Sequence, residues 1–242
     1  MANSYFAIGL TSSIAEIAAA LTAKYSSGVT IHYTNTSYIV FTCPAISNKV
    51  IKIYAPGSSN TPYVYYGDAW TSTTTITNQV VFTGYQSGTC SGIQLVLGTN
   101  FMFFQAFSSA VVIVTALVGQ LSNGHFVCIG GIGTSNAGYT GSTIGKDITE
   151  NVDAAIITFA TIEIGMDADG YLYKRPVRFK RVGGVYELNS DGTFATIDGL
   201  ETVTYETSNS TYLATADYFM SSTGVFTPNV GWQISTCLYI PL

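Results

Sequence analysis

The sequence predicts a mainly β protein. β-sandwich or barrel-like sheets carry one N-terminal α-helix packed on the sheet, and a C-terminal region rich in β-hairpins follows. Three observations predict this. The chain holds 17 tyrosines and 13 phenylalanines beside abundant threonine and valine, residue types that suit a pleated, half-buried surface. Its apolar residues recur with period two or in short unbroken runs, as strands require. Its turn signals are Asn-Gly, Asp-Gly and Gly-Gly pairs, which supply the positive φ angles of tight hairpin turns.

One helix is well signalled. Ser13-Ile14-Ala15-Glu16 fits a capping box, in which Ser13 accepts from an orphan N–H and Glu16 reaches back. Ile14, Ile17, Ala18 and Leu21 then keep the i, i+3, i+4, i+7 spacing of one buried face. Gly28 stops the pattern, so the helix is expected over about residues 13–25, packed against a sheet. Strands follow. Val29, Ile31 and Tyr33 alternate with Thr30, His32 and Thr34, and a turn at 35–37 leads into 38–43. Ile51 and Ile53 alternate with Lys52 and Tyr54, before a Pro/Gly/Ser loop over 56–62. Further strands are expected at 63–66, 79–83, 92–97, 101–107 and 110–118. The last is expected to pair with 125–129 across Ser122-Asn123-Gly124.

Residues 130–146 hold six glycines and few large apolar groups. They match no phosphate-binding loop, since no G-x-x-x-x-G-K-[ST] and no following helix pattern exist. The chain is therefore divided into a helix-plus-β domain at 1–133, a Gly/Ser-rich linker or long loop at 134–150, and a β-rich domain of successive hairpins at 151–242. In that last part, turns are expected at Asp169-Gly170, Gly183-Gly184, Asp191-Gly192 and Asp198-Gly199. The strands between them are 154–164, 171–181, 185–189, 193–197, 202–206 and 216–220, and 232–240 closes the chain.

Charge is spread unevenly. Residues 1–145 carry only Glu16, Lys24, Lys49, Lys52 and Asp68. The net charge is −5, and residues 146–242 supply all of that excess. A free surface needs charge to stay dispersed, so much of the neutral exterior is expected either to be covered by neighbouring subunits or to meet a membrane or a glycan. An acidic chain with no broad basic face is a poor nucleic-acid binder. No secretory signal is expected from MANSYFAIGL. The longest apolar run, 110–118, is too short to cross a membrane as a helix, and no membrane partner is expected.

Candidate chemistry is sparse. Cys43, Cys90, Cys128 and Cys237 are widely spaced with no CxxC pair, so neither a disulfide framework nor a zinc site is expected. Asp167-Ala168-Asp169-Gly170 resembles the start of a calcium loop, but the twelfth position is Arg178 rather than Glu. His32 and His125 are the only histidines, and no G-x-S-x-G elbow accompanies them. No enzyme, catalytic residue, cofactor or metal is expected.

Two surfaces stand out instead. The run 174–181 holds five of the nine basic residues, Lys174, Arg175, Arg178, Lys180 and Arg181. Read as one strand, it offers a docking contact for an acidic partner surface, because arginine suits bidentate pairing. A Gly183-Gly184 turn would set Lys180 opposite Glu187, and Glu163 would lie near Lys174 and Arg175. Tyr63, Tyr65, Tyr66 and Trp70 lie near the 56–62 loop and form the expected contact of a glycan-binding alternative. The uncharged tract 70–77 is read as an edge strand or loop, with addition to a neighbour's sheet as the functional reading.

The helix 13–25, the neutral strands to Ile129 and the closing segment Cys-Leu-Tyr-Ile-Pro-Leu together resemble a virion structural protein of a tailed bacteriophage. The resemblance implies a non-enzymatic subunit of a tail or baseplate, made in the host cytoplasm and housed in the virion. Its partners would be other virion subunits, copies of itself included. A capsid-exterior decoration protein and a receptor- or glycan-binding module are the alternatives. The neutral surfaces would then be subunit interfaces and the basic run a docking contact.

Overall fold

A computed structural model describes residues 4–10, 12–46, 49–55, 62–81, 90–108, 111–132, 144–150, 152–156, 174–176, 179–181, 185–198, 201–206, 217–221, 224–225 and 234–241. The chain is mainly β, with one helix near the N-terminus and several antiparallel sheets. In order the elements are β1 (Ser4–Ile8), α1 (Ser13–Lys24), β2 (Thr30–Thr34), β3 (Tyr38–Thr42), β4 (Val50–Tyr54), β5 (Tyr63–Gly67), β6 (Trp70–Ser72), β7 (Thr75–Ile76) and β8 (Val80–Val81). Next come β9 (Gly92–Leu97), β10 (Phe101–Ser108), β11 (Val111–Gln120), β12 (Phe126–Ile132), β13 (Ile144–Asp147) and β14 (Val152–Ile156). Then follow β15 (Lys174–Pro176), β16 (Phe179–Arg181), β17 (Glu201–Glu206), β18 (Asp217–Ser221), β19 (Gly224–Val225) and β20 (Ile234–Pro241).

An eight-stranded sheet runs in the order β1-β9-β10-β11-β12-β13-β14-β16. The strands from β9 to β14 form a meander, and β1 pairs onto its edge through β9. The helix and a five-stranded sheet, β2-β3-β4-β5-β8, are inserted between β1 and β9. The central strands are buried on both faces. All six residues of β9 are buried, and Phe101 to Phe104 are fully buried in β10. Such strands read as continuous apolar runs. One face carries Ile93, Leu95, Leu97, Met102, Phe104, Ala116 and Val118 into a core shared with α1 and the five-stranded sheet. The opposite face carries Val96, Phe101, Phe103, Leu117 and Val127 against Phe179, Ala195 and Ile197. Each fully buried side chain of this size contributes roughly 1.5–3 kcal/mol. Gly119 marks the closest approach on that second face: an added Cβ would lie 2.7 Å from Ile197 Cδ1 and 3.0 Å from the Asn100 carbonyl.

The helix buries Ile14, Ile17 and Leu21 of the predicted face, while Ala18 is half-buried against the core and Ala20 is buried beside them. Its cap differs from the expected one. Ser12, not Ser13, is the N-cap residue, and Ser13 is buried. Glu16 accepts from the Gly9 N–H at 2.7 Å and from the Ser12 hydroxyl. The carboxylate thus ties the incoming chain rather than the residue that a capping box would name. It also lies in the first turn, where the helix dipole favours an anion, and Lys24 occupies the last. Beyond the helix, the buried Tyr25 hydroxyl donates to the Gly98 carbonyl at 2.6 Å and fixes the helix end to the β9–β10 turn.

Later in the chain, the expected linker is partly strand: Ile144–Asp147 pairs with β12. β14 and β16 extend the same sheet, so its hydrogen bonding continues past residue 133. The third sheet, β15-β17-β20-β18-β19, contains the strands expected at 202–206, 216–220 and 232–240, whereas those expected at 185–189 and 193–197 are reduced to one Leu188–Phe194 bridge. Its order is not that of successive hairpins, because β17 pairs with the closing β20 rather than with β18. The Asp191-Gly192 turn forms as expected, with Gly192 at φ +83 and Asp191 Oδ1 accepting from the Thr193 N–H and hydroxyl. The Asn123-Gly124 turn forms too, with Gly124 at φ +87. The turn expected at 169–170 and the calcium-like tetrad at 167–170 lie outside the described residues.

Cys43 and Cys128 carry buried free thiols. Burial pushes the Cys43 thiol up to about 12 and Cys128 well above its ordinary value. Neither is a ready nucleophile at neutral pH. No described helix is long and apolar enough to cross a membrane.

Candidate functional site

The outer face of the five-stranded sheet is built by simple alternation. Ile39, Phe41, Ile51, Ile53, Val64 and Tyr66 point into the core. The residues between them point outward. Cross-strand register lines these up in rows: Tyr33, Val40, Lys52, Tyr65 and Val81 form one, and Tyr38, Tyr54 and Tyr63 the next. Among the described strands of this sheet, Lys52 is the only formally charged side chain.

The β6–β7 hairpin covers one end of this face. Ile76 packs on Val40 and Val50 with Tyr33 and Tyr65 beside them. Gly67 allows the approach, since an added Cβ there would lie 2.7 Å from the Thr77 carbonyl. Lys52 holds the hairpin from below. Its residue is 7% exposed, its ammonium donates to the Thr74 carbonyl at 3.0 Å and to Gln79 Oε1, and it lies 4.3 Å from the Tyr65 ring centroid. Burial pulls the amine below its ordinary value. At the hairpin's base, Lys49 pairs with Asp68 at 2.8 Å, and Asn78 donates to the same carboxylate at 2.6 Å. The tract 70–77 therefore folds back on itself as a two-stranded hairpin, with Thr73 and Asn78 at positive φ.

Among the described residues, no element packs over the other end of the face. Tyr38 stacks on Tyr54 with centroids 4.4 Å apart, and Tyr54 on Tyr63 and Tyr63 on Tyr65 at 6.2 Å each. All four are half-buried. Burial first, then the neighbouring tyrosine hydroxyls, pushes Tyr38 and Tyr65 upward, so these hydroxyls stay protonated at neutral pH. The result is a ridge of stacked rings whose polar atoms are uncharged.

The predicted aromatic contacts separate on this frame. Tyr63 and Tyr65 lie in the ridge. Trp70 is 38% exposed but stacks on His32 at 5.3 Å and donates its indole N–H to the Thr73 carbonyl. Tyr66 is 1% exposed and belongs to the core, because the strand period of two turns it inward. It is removed from any surface contact. Tyr38 and Tyr54 were missed by the sequence reading. Their signal was available, since Tyr54 shares the face of Lys52.

The basic run does not form one strand. Lys174 and Arg175 lie in β15 of the third sheet, while Lys180 and Arg181 lie in β16 of the eight-stranded sheet. Arg178 and Glu163 lie outside the described residues. The expected pairing of Lys180 with Glu187 is replaced by another register: the Glu187 N–H donates to the Phe179 carbonyl at 3.0 Å.

A second cluster sits beyond the β11–β12 turn. His125 Nδ1 lies 2.8 Å from Asp147 Oδ2 and 3.4 Å from Glu187 Oε2, and His125 Nε2 lies 3.7 Å from Glu150 Oε1. Asp147 and Glu187 are buried and His125 is half-buried. Sequence spacing hides this group, because its members come from three separate segments. No protein-family model and no curated protein matches this chain.

Proposed function

We propose that the chain is a non-enzymatic structural subunit that assembles with copies of itself or with companion subunits through charge-poor β surfaces. The observation that carries the reading is the tyrosine ridge of Tyr38, Tyr54 and Tyr63, continued by Tyr65 at the hairpin's edge, on a sheet face whose described strands carry one formal charge, itself buried. Tyrosine supplies large, rigid contact area at low entropic cost and is enriched at the centres of protein interfaces. With its resemblance to tailed-phage virion proteins, the chain fits a tail or baseplate subunit best, with the capsid exterior as the second location.

The second reading is a receptor- or glycan-binding module, favoured by Trp70, Tyr63 and Tyr65 on one side of the molecule. Ring geometry makes it the weaker one. A sugar stacks on an open aromatic face, whereas the ridge tyrosines turn their faces toward each other and Trp70 presents one face to His32.

Size-exclusion chromatography with light scattering on the full chain tests the assembly reading. The expected result is a defined oligomer at micromolar concentration, reduced to smaller species by Tyr54→Lys with unchanged circular dichroism. A salt-insensitive wild-type monomer would count against it.

A further inference from the structure

The His125 cluster does a different job from the ridge. His125 closes the β11–β12 turn, Asp147 ends β13, and Glu187 lies in the segment 185–198 that crosses the second face of the eight-stranded sheet. β13 pairs with β12, and the β11–β12 turn is already tied to the 185–198 segment. Ser122 N–H donates to the Thr196 carbonyl at 2.8 Å, Ser122 Oγ to Asn189 Oδ1 at 2.8 Å, and Asn123 Nδ2 to the Leu188 carbonyl at 3.2 Å. The cluster therefore rests on a fixed frame.

Its donor set is unusual for a purely structural contact. One ligand atom from each of His125, Asp147 and Glu187 lies within 4.8 Å of the other two. A single Nδ1 carries at most one hydrogen, yet two carboxylate oxygens face it. The carboxylates are 0% and 1% exposed on their side chains, where uncompensated negative charge is costly. Other groups also touch them: the Glu150 N–H donates to Asp147 Oδ1 at 3.2 Å, Asn123 Nδ2 donates to Glu187 Oε2 at 3.5 Å, and both residues have further partners. A cation would complete these surroundings, not replace them.

We infer that His125 Nδ1, Asp147 and Glu187 bind a first-row divalent transition-metal ion, with Glu150 orienting the imidazole through Nε2. Three ligands about 2.1 Å from a tetrahedral ion stand about 3.4 Å apart. The Nδ1 to Glu187 separation already has that value, and the Nδ1 to Asp147 separation needs to open by about half an ångström. A mixed nitrogen and carboxylate set suits Zn²⁺ or Mn²⁺ better than Ca²⁺, which prefers an all-oxygen shell. A carboxylate beside the second ring nitrogen is the usual companion of a metal-bound histidine. Bound there, the ion would staple the β11–β12 turn and β13 to the 185–198 segment. This site is separate from the assembly reading, since ion uptake is counted per chain whatever the oligomer.

The test is equilibrium dialysis of the tag-free full chain against Zn²⁺, with elemental analysis. About one ion per chain is expected. His125→Ala and Glu187→Gln should each loosen binding at least tenfold, while His32→Ala leaves it unchanged. Excess Ca²⁺ should not displace the ion. Nitrogen NMR of the wild-type imidazoles needs no variant: Zn²⁺ should shift His125 Nδ1 and leave both His32 nitrogens in place. No retained ion, binding insensitive to His125→Ala, displacement by Ca²⁺, or an unshifted His125 Nδ1 would each overturn the assignment.

Discussion

The eight-stranded sheet and the β2–β8 sheet use the same residue types in opposite ways. In the eight-stranded sheet, β9 and β10 are covered on both faces, one by the helix and the second sheet, the other by the 179–197 region. In the β2–β8 sheet, one face joins that same core while the other carries the tyrosine ridge. β9 and β10 carry no formal charge, and the described strands of the β2–β8 sheet carry only Lys52. The difference shows that low charge alone does not mark a contact surface. In β9 and β10 it reflects internal coverage, whereas on the outer face of the β2–β8 sheet it accompanies a neutral, half-buried row of tyrosines.

Truncation should separate the two sheets most sharply. Phe104→Ala, in the doubly covered sheet, is expected to cost about 3–5 kcal/mol. Tyr63→Ser, in the ridge, is expected to cost under about 1 kcal/mol in a dissociated chain. Urea denaturation of each variant measures the gap, and equal losses would erase the distinction. A smaller effect is expected at the covered end of the ridge face. Lys52→Met removes the ammonium that holds Thr74 and Gln79. Amide exchange at Thr77 and Asp68, whose N–H groups bond within the hairpin base, should then quicken by roughly tenfold, the equivalent of one net hydrogen bond. Exchange in β9 should stay unchanged.

The smallest effect concerns pH. Hydrogen bonds from Lys49 and then Asn78 hold the Asp68 carboxyl below its ordinary value of 3.8. The folded value lies below the unfolded one, so this contribution is present above the unfolded value and fades as pH falls through the folded one. The pair is partly exposed, so the contribution is expected to stay under about 1 kcal/mol. Asp68→Asn should flatten the acid limb of a stability-against-pH curve without altering the sheet buried on both faces.

Local signals account for much of this architecture. The run Gly92–Leu97 was legible as a strand because unbroken apolar residues between turn signals have few other uses, and its bounds match. The helix face was legible from its spacing, but the cap was displaced, because Ser12 and Ser13 are chemically alike and only the chain path through Gly9 chooses between them. The basic run was read as one strand across Pro176, although a residue with no backbone N–H marks a strand's end or edge, and β15 ends there. Two different sheets recruit its two ends. Half of the ridge was legible, since Tyr63 and Tyr65 were named. Tyr66 was misplaced by grouping neighbours in sequence rather than by alternation. The His125 cluster was not legible, because 22 residues separate His125 from Asp147 and only folding brings Glu187 to them.

The central claim is that the tyrosine ridge is contact area between subunits. Its most direct test is the mass of the full chain across a dilution series, for wild type and for Tyr54→Lys, which places a charge between Tyr38 and Tyr63. The expected result is a wild-type oligomer that persists on dilution and a folded variant of lower mass at every concentration. Identical masses for the two proteins would contradict the claim.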